Sequence, residues 1–257
     1  MHTREPTSAA SGSQPDLRLG GARRRSIDLE AACRAIGLAA VRPLPRLPLW
    51  WLAVAAVALA VPVATHDISL RDRVRLEAKI RSNFAHAPVL MVGDSITYQA
   101  APTQLCGETV FNAAVPGDRI ADLLGDAPDY SARLAETRRV VVAVGVNDAW
   151  PRHKDLESWI ADYRALVSLY AGRDLVLVEI NPADPRLSRM MRKLDTGFIA
   201  GANAAIRQIA AETQARVVPA PPEVLTSDGL HPTPAGAAQW RDRLSAAACA
   251  MPGGGRA

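Results

Sequence analysis

From Pro88 onward, five short apolar runs alternate with helical stretches, and this alternation constrains the fold more than any other feature of the chain. The runs cover residues 88–92, 109–115, 140–146, 175–180 and 215–218. Continuous apolar or β-branched runs of this length suit strands covered on both faces. Helical candidates fill the gaps at 118–124, 128–137, 156–171 and 194–213, with 233–248 after the last run. The pattern predicts an α/β fold: a parallel five-stranded sheet with helices on both faces. Groups that bind ligands in such sheets gather in the loops beyond the carboxyl ends of the strands.

The N-terminal third reads differently. The chain of 257 residues has a formal charge of +4, which invites a nucleic-acid reading. Residues 1–46 hold eight arginines and four acids, so the whole excess lies there, and residues 47–257 are balanced at 22 basic and 22 acidic groups. No nucleic-acid partner is therefore expected for the folded part. The first 25 residues are rich in Ser, Gly, Pro and Arg and lack the apolar content that offsets ordering entropy, which predicts a disordered basic tail over 1–46.

Residues 47–65 carry no charge over 19 positions, against the roughly 20 that span a bilayer core. Trp50 and Trp51 stand at one end, and Arg42 and Arg46 precede them. This is the pattern of a single transmembrane helix with a cytoplasmic N-terminus and the rest of the chain across the membrane. A secreted form remains the alternative: a start at Val41 would give a compact signal peptide, and Ala58-Leu59-Ala60 offers a small-residue cleavage site. Residues 66–86 follow as a connector. Leu70, Val74, Leu76, Ile80 and Phe84 recur there at mostly fourfold spacing among basic residues, as in an amphipathic helix packing on the domain at 87–250. Residues 251–257 read as a flexible end.

The chemistry sits at the ends of the expected strands. The first ends in Gly93-Asp94-Ser95-Ile96, where a tight turn presents a hydroxyl at the sheet edge. The second leads to Gly117, whose backbone N–H is a candidate donor. The third ends in Gly145-Val146-Asn147-Asp148. Asp228-Gly229-Leu230-His231 precedes the last helix, with a carboxylate and an imidazole three residues apart. Any one of these is an ordinary turn. Together, in order along one rim, they supply a nucleophile, a base with an orienting acid, and oxyanion donors: the set for acyl transfer.

Over about residues 87–249 the sequence resembles the GDSL/SGNH hydrolase family, through Ser95 in Gly-Asp-Ser-Ile, Gly117, Asn147 in Gly-x-Asn-Asp, and His231 with Asp228 in Asp-x-x-His. The resemblance implies a three-layer α/β/α flavodoxin-like domain and a serine esterase that needs no cofactor. It also implies a catalytic set of Ser95, His231 and Asp228 and an oxyanion hole of Ser95, Gly117 and Asn147. The base must be neutral, so activity is expected to fall as pH drops through the ordinary histidine range of about 6–7. Only 12 residues separate Ser95 from Gly107, so the first helix is expected to be short and the pocket open. Acylated glycans, lipids and small esters all remain candidate substrates. O-acyl transfer to a cell-envelope glycan and a catalytically silent binding domain are the alternative functions. The 27 arginines against 3 lysines, with the resemblance, point to a bacterial protein on the outer side of the cytoplasmic membrane.

Weaker signals complete the reading. Trp150 and Met190 are candidate pocket residues, and Met190 lies in a basic stretch from Arg186 to Lys193. Asp94 and Asp148 adjoin the catalytic positions and are expected to serve their loops structurally. His66, His86 and His153 show no ligand spacing, so no metal is expected. Cys106 precedes the second strand and Cys249 ends the last helix, which brings both to the rim opposite the site. A disulfide and two free thiols are both open there, while Cys33 in the tail is expected to stay reduced. Oligomeric state is not legible.

Overall fold

The computed structural model describes residues 68–151 and 155–250. The expected tail at 1–46, the apolar segment at 47–65 and the end at 251–257 lie outside the described residues. Among those described, no helix is long and apolar enough to cross a membrane.

The chain runs α1 (Leu70–Ser82), β1 (Val89–Gly93), α2 (Ser95–Ala100), β2 (Gln104–Leu105), β3 (Glu108–Asn112), α3 (Ile120–Arg133), β4 (Arg139–Ala143), α4 (Leu156–Ser168), β5 (Asp174–Val178), α5 (Thr196–Thr213), β6 (Arg216–Val218) and α6 (Pro234–Ala248). Short 3₁₀ turns occupy Val146–Ala149 and Arg189–Lys193. The strands form one six-stranded sheet in the order β2-β3-β1-β4-β5-β6. All neighbours pair in parallel except β2, which pairs antiparallel with β3.

The expected parallel five-stranded sheet is thus corrected to a mixed sheet of six. The added strand, Gln104–Leu105, is two residues long, and Cys106 and Gly107 turn it back onto β3 with positive φ. A pair that short has no periodicity to detect. The five parallel strands stand in the order 2-1-3-4-5 in chain sequence, that of doubly wound sheets with a crevice where the winding direction reverses.

Alternation along each strand splits the core in two. Leu90, Val92, Val140, Val142, Leu175 and Leu177 face one way, onto Ile120 and Leu123 of α3, Trp159 and Tyr163 of α4, and Phe198 and Ile206 of α5. Val89, Met91, Val141, Val176 and Val178 face the other, onto Trp240 and Leu244 of α6. Each such fully buried side chain contributes about 1.5–3 kcal/mol by removal from water. Both faces of the sheet are therefore closed.

Two helix expectations need correction. Residues 118–124 and 128–137 are not separate helices: a single α3 spans Ile120–Arg133 with Pro128 inside it. Proline removes one backbone donor, yet Ile120, Leu123, Ala127 and Tyr130 form one continuous buried stripe, and that packing overrides the local penalty. The connector does fold as a helix, α1, but it packs by a different stripe. Leu70, Leu76, Ile80 and Phe84 are exposed, and Val74 and Ala78 are buried. Beside those two, Arg71, Arg75 and Lys79 meet a row of aspartates: Arg71 reaches Asp122 (2.5 Å), Arg75 reaches Asp118 (2.6 Å) and Asp126 (2.9 Å), and Lys79 reaches Asp126 (2.7 Å) and Asp129 (3.0 Å). Charge spaced at one helical turn, not the apolar pattern, sets this interface.

Cys106 and Cys249 are joined by a disulfide with their Cα atoms 5.3 Å apart, which ties the turn between β2 and β3 to the end of α6.

Candidate active site

Because β1, β3 and β4 run in parallel, the loops that follow them open on the same edge of the sheet. β1 ends at Gly93, where a side chain has no room: an added Cβ would lie 2.4 Å from both the Ala143 carbonyl oxygen and Thr97 Oγ1. The Thr97 hydroxyl uses that space to donate to the Ala143 carbonyl (3.1 Å), locking the start of α2 against β4. Asp94 caps α2 by accepting from the Ile96 N–H (2.9 Å). The first residue of α2 is Ser95, 7% exposed. Its hydroxyl is thus fixed at the sheet edge by a turn only glycine can make.

The segment after β3 stays bonded to β1, with Ala113 N–H donating to Met91 O (2.9 Å) and Val115 N–H to Gly93 O (3.0 Å). Two residues further on is Gly117, in the left-handed region at φ +82°. Asn147 lies in the 3₁₀ turn after β4 and donates through Nδ2 to the Asp118 carbonyl (2.9 Å).

The histidine arrives on the loop before α6. Asp228 Oδ1 accepts from the backbone N–H groups of Leu230 (2.9 Å) and His231 (2.8 Å), folding the loop onto the carboxylate. Gly229 has φ +91°, and its carbonyl accepts from Asp184 N–H (2.8 Å), pinning the loop to the segment after β5. The result is one chain of contacts: His231 Nδ1 stands 2.8 Å from Asp228 Oδ2, and His231 Nε2 stands 3.0 Å from Ser95 Oγ. A carboxylate only accepts, so Nδ1 carries the proton and Nε2 is free to accept the serine hydroxyl. Burial works to raise Asp228, but hydrogen bonds from the His231 ring, the His231 N–H and the Leu230 N–H outweigh it and pull the carboxyl down to about 2. It therefore stays ionised under the imidazole at any ordinary pH.

Three other carboxyls around the site go the opposite way, with burial the largest cause in each. Asp94 is pushed up to about 7 in spite of the Ile96 and Thr97 N–H groups. Asp148, which accepts from Ile120 N–H (3.2 Å), is pushed up to about 6. Asp118 also rises to about 6, with Arg75 and Arg71 opposing the burial. Asp94 and Asp148 hold backbone where the sequence expected them to.

The two sequence-derived pocket residues differ in their surroundings. Trp150 packs against the core, and Met190 is 59% exposed. Its neighbour Met191 is the buried one: an added Cβ at Gly229 would lie 2.9 Å from Met191 Cγ. A 3₁₀ turn over Arg189–Lys193 turns Met191 inward and Met190 out, which helical periodicity could not foresee. A cleft of about 630 Å³ lies beside the histidine loop and is lined by residues such as Asp184, Arg186, Glu223, Leu225 and Thr233. Sequence reasoning also missed Arg71 and Arg75, whose Nε and Nη2 donate to Asp118 Oδ1 (3.0 and 2.6 Å) next to Gly117. The fourfold spacing of 71 and 75, and of 118, 122 and 126, was the available signal.

A model of the GDSL-like lipase/acylhydrolase family matches residues 91–239, a span containing all five of Ser95, Gly117, Asn147, Asp228 and His231. Solved structures share the fold at low identity. A protein from Streptococcus pneumonia superposes with TM-score 0.62 at 19% identity, over 74% of this chain and 98% of its own. A GDSL-like lipase from Bacteroides thetaiotaomicron gives 0.56 at 18%, over 67% and 96%. An acetylxylan esterase from Geobacillus stearothermophilus gives 0.51 at 18%, over 65% and 96%. No curated protein sequence matches the chain.

Proposed function

The chain belongs to the GDSL-like lipase/acylhydrolase family, a family of ester-bond hydrolases, and from that premise we propose that it is a serine esterase acting through Ser95, His231 and Asp228. The observation that carries the reading is the unbroken line from Asp228 Oδ2 to His231 Nδ1 (2.8 Å) and from His231 Nε2 to Ser95 Oγ (3.0 Å). Residues 136 positions apart meet at hydrogen-bond distance with the polarity that general-base catalysis needs.

The steps follow from that geometry. His231 Nε2 takes the hydroxyl proton as Ser95 Oγ attacks the ester carbonyl, and the ionised Asp228 steadies the imidazolium. The negative charge that develops on the carbonyl oxygen is received by the backbone N–H groups of Ser95 and Gly117 and by the Asn147 amide. His231 then returns the proton to the departing alkoxide. Water, activated by the same base, releases the acyl group and restores Ser95. One such donor stabilises the transition state by about 2.7–4 kcal/mol.

The substrate is an O-acyl ester. The acetylxylan esterase among the structural neighbours makes acetylated glycans the first class to try, with lipids and small esters beside it. The domain works outside the cytoplasm, anchored through residues 47–65 with the basic tail inside. The Cys106–Cys249 disulfide supports that compartment, since such bonds persist in oxidising surroundings. The function is tested by release of acid from nitrophenyl esters of increasing chain length and from acetylated xylan, by the wild-type chain and Ser95→Ala. Turnover by wild type alone is expected. Equal turnover by both rejects the assignment, and product that appears only with an added sugar acceptor replaces hydrolysis by acyl transfer.

A further inference from the structure

Resting on the oxyanion-hole reading above, we propose that Arg71 and Arg75 are positioning residues: through the buried carboxylate of Asp118 they hold both the Gly117 backbone and the Asn147 amide in place to receive the oxyanion.

Asp118 is the common support of the two donors. Its own N–H donates to Val115 O (3.1 Å), closing the turn that contains Gly117. Its carbonyl accepts from Asn147 Nδ2 (2.9 Å). A side-chain amide has two N–H bonds, so this contact fixes the Asn147 rotamer with one and leaves the other for a ligand. A shift of Asp118 therefore moves both donors together.

What fixes Asp118 comes from outside the span matched by the family, residues 91–239. Its carboxylate is 1% exposed, and a buried carboxylate without partners is strongly unfavourable. Arg71 Nε (3.0 Å) and Arg75 Nη2 (2.6 Å) both donate to its Oδ1. Each guanidinium has a second carboxylate partner: Arg71 forms an ion pair with Asp122 (2.5 Å), and Arg75 donates to Asp126 (2.9 Å). The Arg71 stem also runs beside the donor glycine: Arg71 Cδ is 3.9 Å from where a Gly117 Cβ would stand. Both arginines sit on α1, Leu70–Ser82, before the family match begins at residue 91. Helix α1 thus acts as a part of the catalytic domain that the family's boxes do not announce.

The test is a double-mutant cycle on the full chain, with kcat and KM on a short-chain nitrophenyl ester and the rate of fluorophosphonate addition to Ser95. Arg75→Gln, alone and with Arg71→Gln, is expected to lower kcat about tenfold or more, to slow phosphonylation by the same factor, and to leave KM within about twofold. Asn147→Ala placed on Arg75→Gln is expected to cost much less than on wild type, because both act through one loop. Arg75→Lys keeps the charge and is expected to recover part of the rate. If Arg75→Gln does not fold, Asp118→Asn enters the cycle in its place with the same expectation. A rise in KM with kcat unchanged overturns the proposal, since Arg71 or Arg75 would then touch substrate. Independent multiplication of the two effects also overturns it. Failure of the underlying reading looks different: Asn147→Ala alone would leave kcat at the wild-type value.

Discussion

Replacing Asp94 with asparagine removes a buried charge from beneath the nucleophile while keeping an acceptor for the Ile96 N–H. Asp94 is 3% exposed, and burial raises its carboxyl from 3.8 to about 7. In the unfolded chain it ionises near the ordinary value, so between about pH 4 and 7 the native state holds a proton that the unfolded state has lost. Its contribution is therefore fully present below the unfolded pKa and is lost as pH rises through the folded one. Asparagine does not titrate. The stability gap between Asp94→Asn and wild type should widen in favour of the variant by about 1.36 × (7 − 5), or about 3 kcal/mol, from pH 5 to pH 8.5. Asp118, near 6, slopes the same way but is common to both proteins and cancels in the difference; Asp148, also near 6, feels the Asp94 charge, so its pKa falls in the variant and adds to the gap in the same direction. Asp228, held near 2, has the opposite sign: its contribution is present above about pH 4 and is lost only as pH falls toward 2. Urea unfolding of both proteins at half-unit steps from pH 5 to 8.5 reads the gap directly. Parallel curves would refute the reasoning, because Asp94 would then titrate alike in folded and unfolded chains.

Two further outcomes are expected. Asn147→Ala should lower kcat on a short-chain ester by about 10²–10³ with KM little changed, as loss of one oxyanion donor does; steady-state kinetics checks it, and a rise in KM alone would make Asn147 a ground-state contact. Cys106→Ser opens a link across a sequence separation of 143, and the chain-entropy model puts the loss of stability at about 5 kcal/mol; urea unfolding measures it, and a midpoint equal to that of the oxidised wild type would contradict the constraint.

How much was legible follows from which interactions are local. Runs such as Val140–Val142 and Leu175–Leu177 announce strands covered on both faces, and those strands are there. The loop positions of Ser95, Gly117, Asn147 and His231 were legible because each lies just past a strand or before a helix, and the alternating pattern places those points on one edge. What failed depends on partners distant in sequence. Pro128 looks like a helix end until the buried stripe from Ile120 to Tyr130 is seen to face β3 and α4. The two residues of β2 are held by pairing with β3, not by their own pattern. The connector shows an apolar stripe at Leu76, Ile80 and Phe84, the last just past α1, and the structure leaves it exposed because the aspartates of α3 and its approach recruit the basic stripe instead. The tie from Arg71 and Arg75 to the oxyanion loop could be read only once both partners stood in space.

The central claim, that Ser95 is a nucleophile activated by His231, is tested most directly by reacting the folded chain with a fluorophosphonate and mapping the adduct by peptide mass spectrometry. The expected result is one adduct, on Ser95, absent from Ser95→Ala and formed at least about a hundredfold more slowly in His231→Ala. An adduct on another residue, or ester turnover by a chain whose Ser95 remains unmodified at saturating reagent, would contradict it.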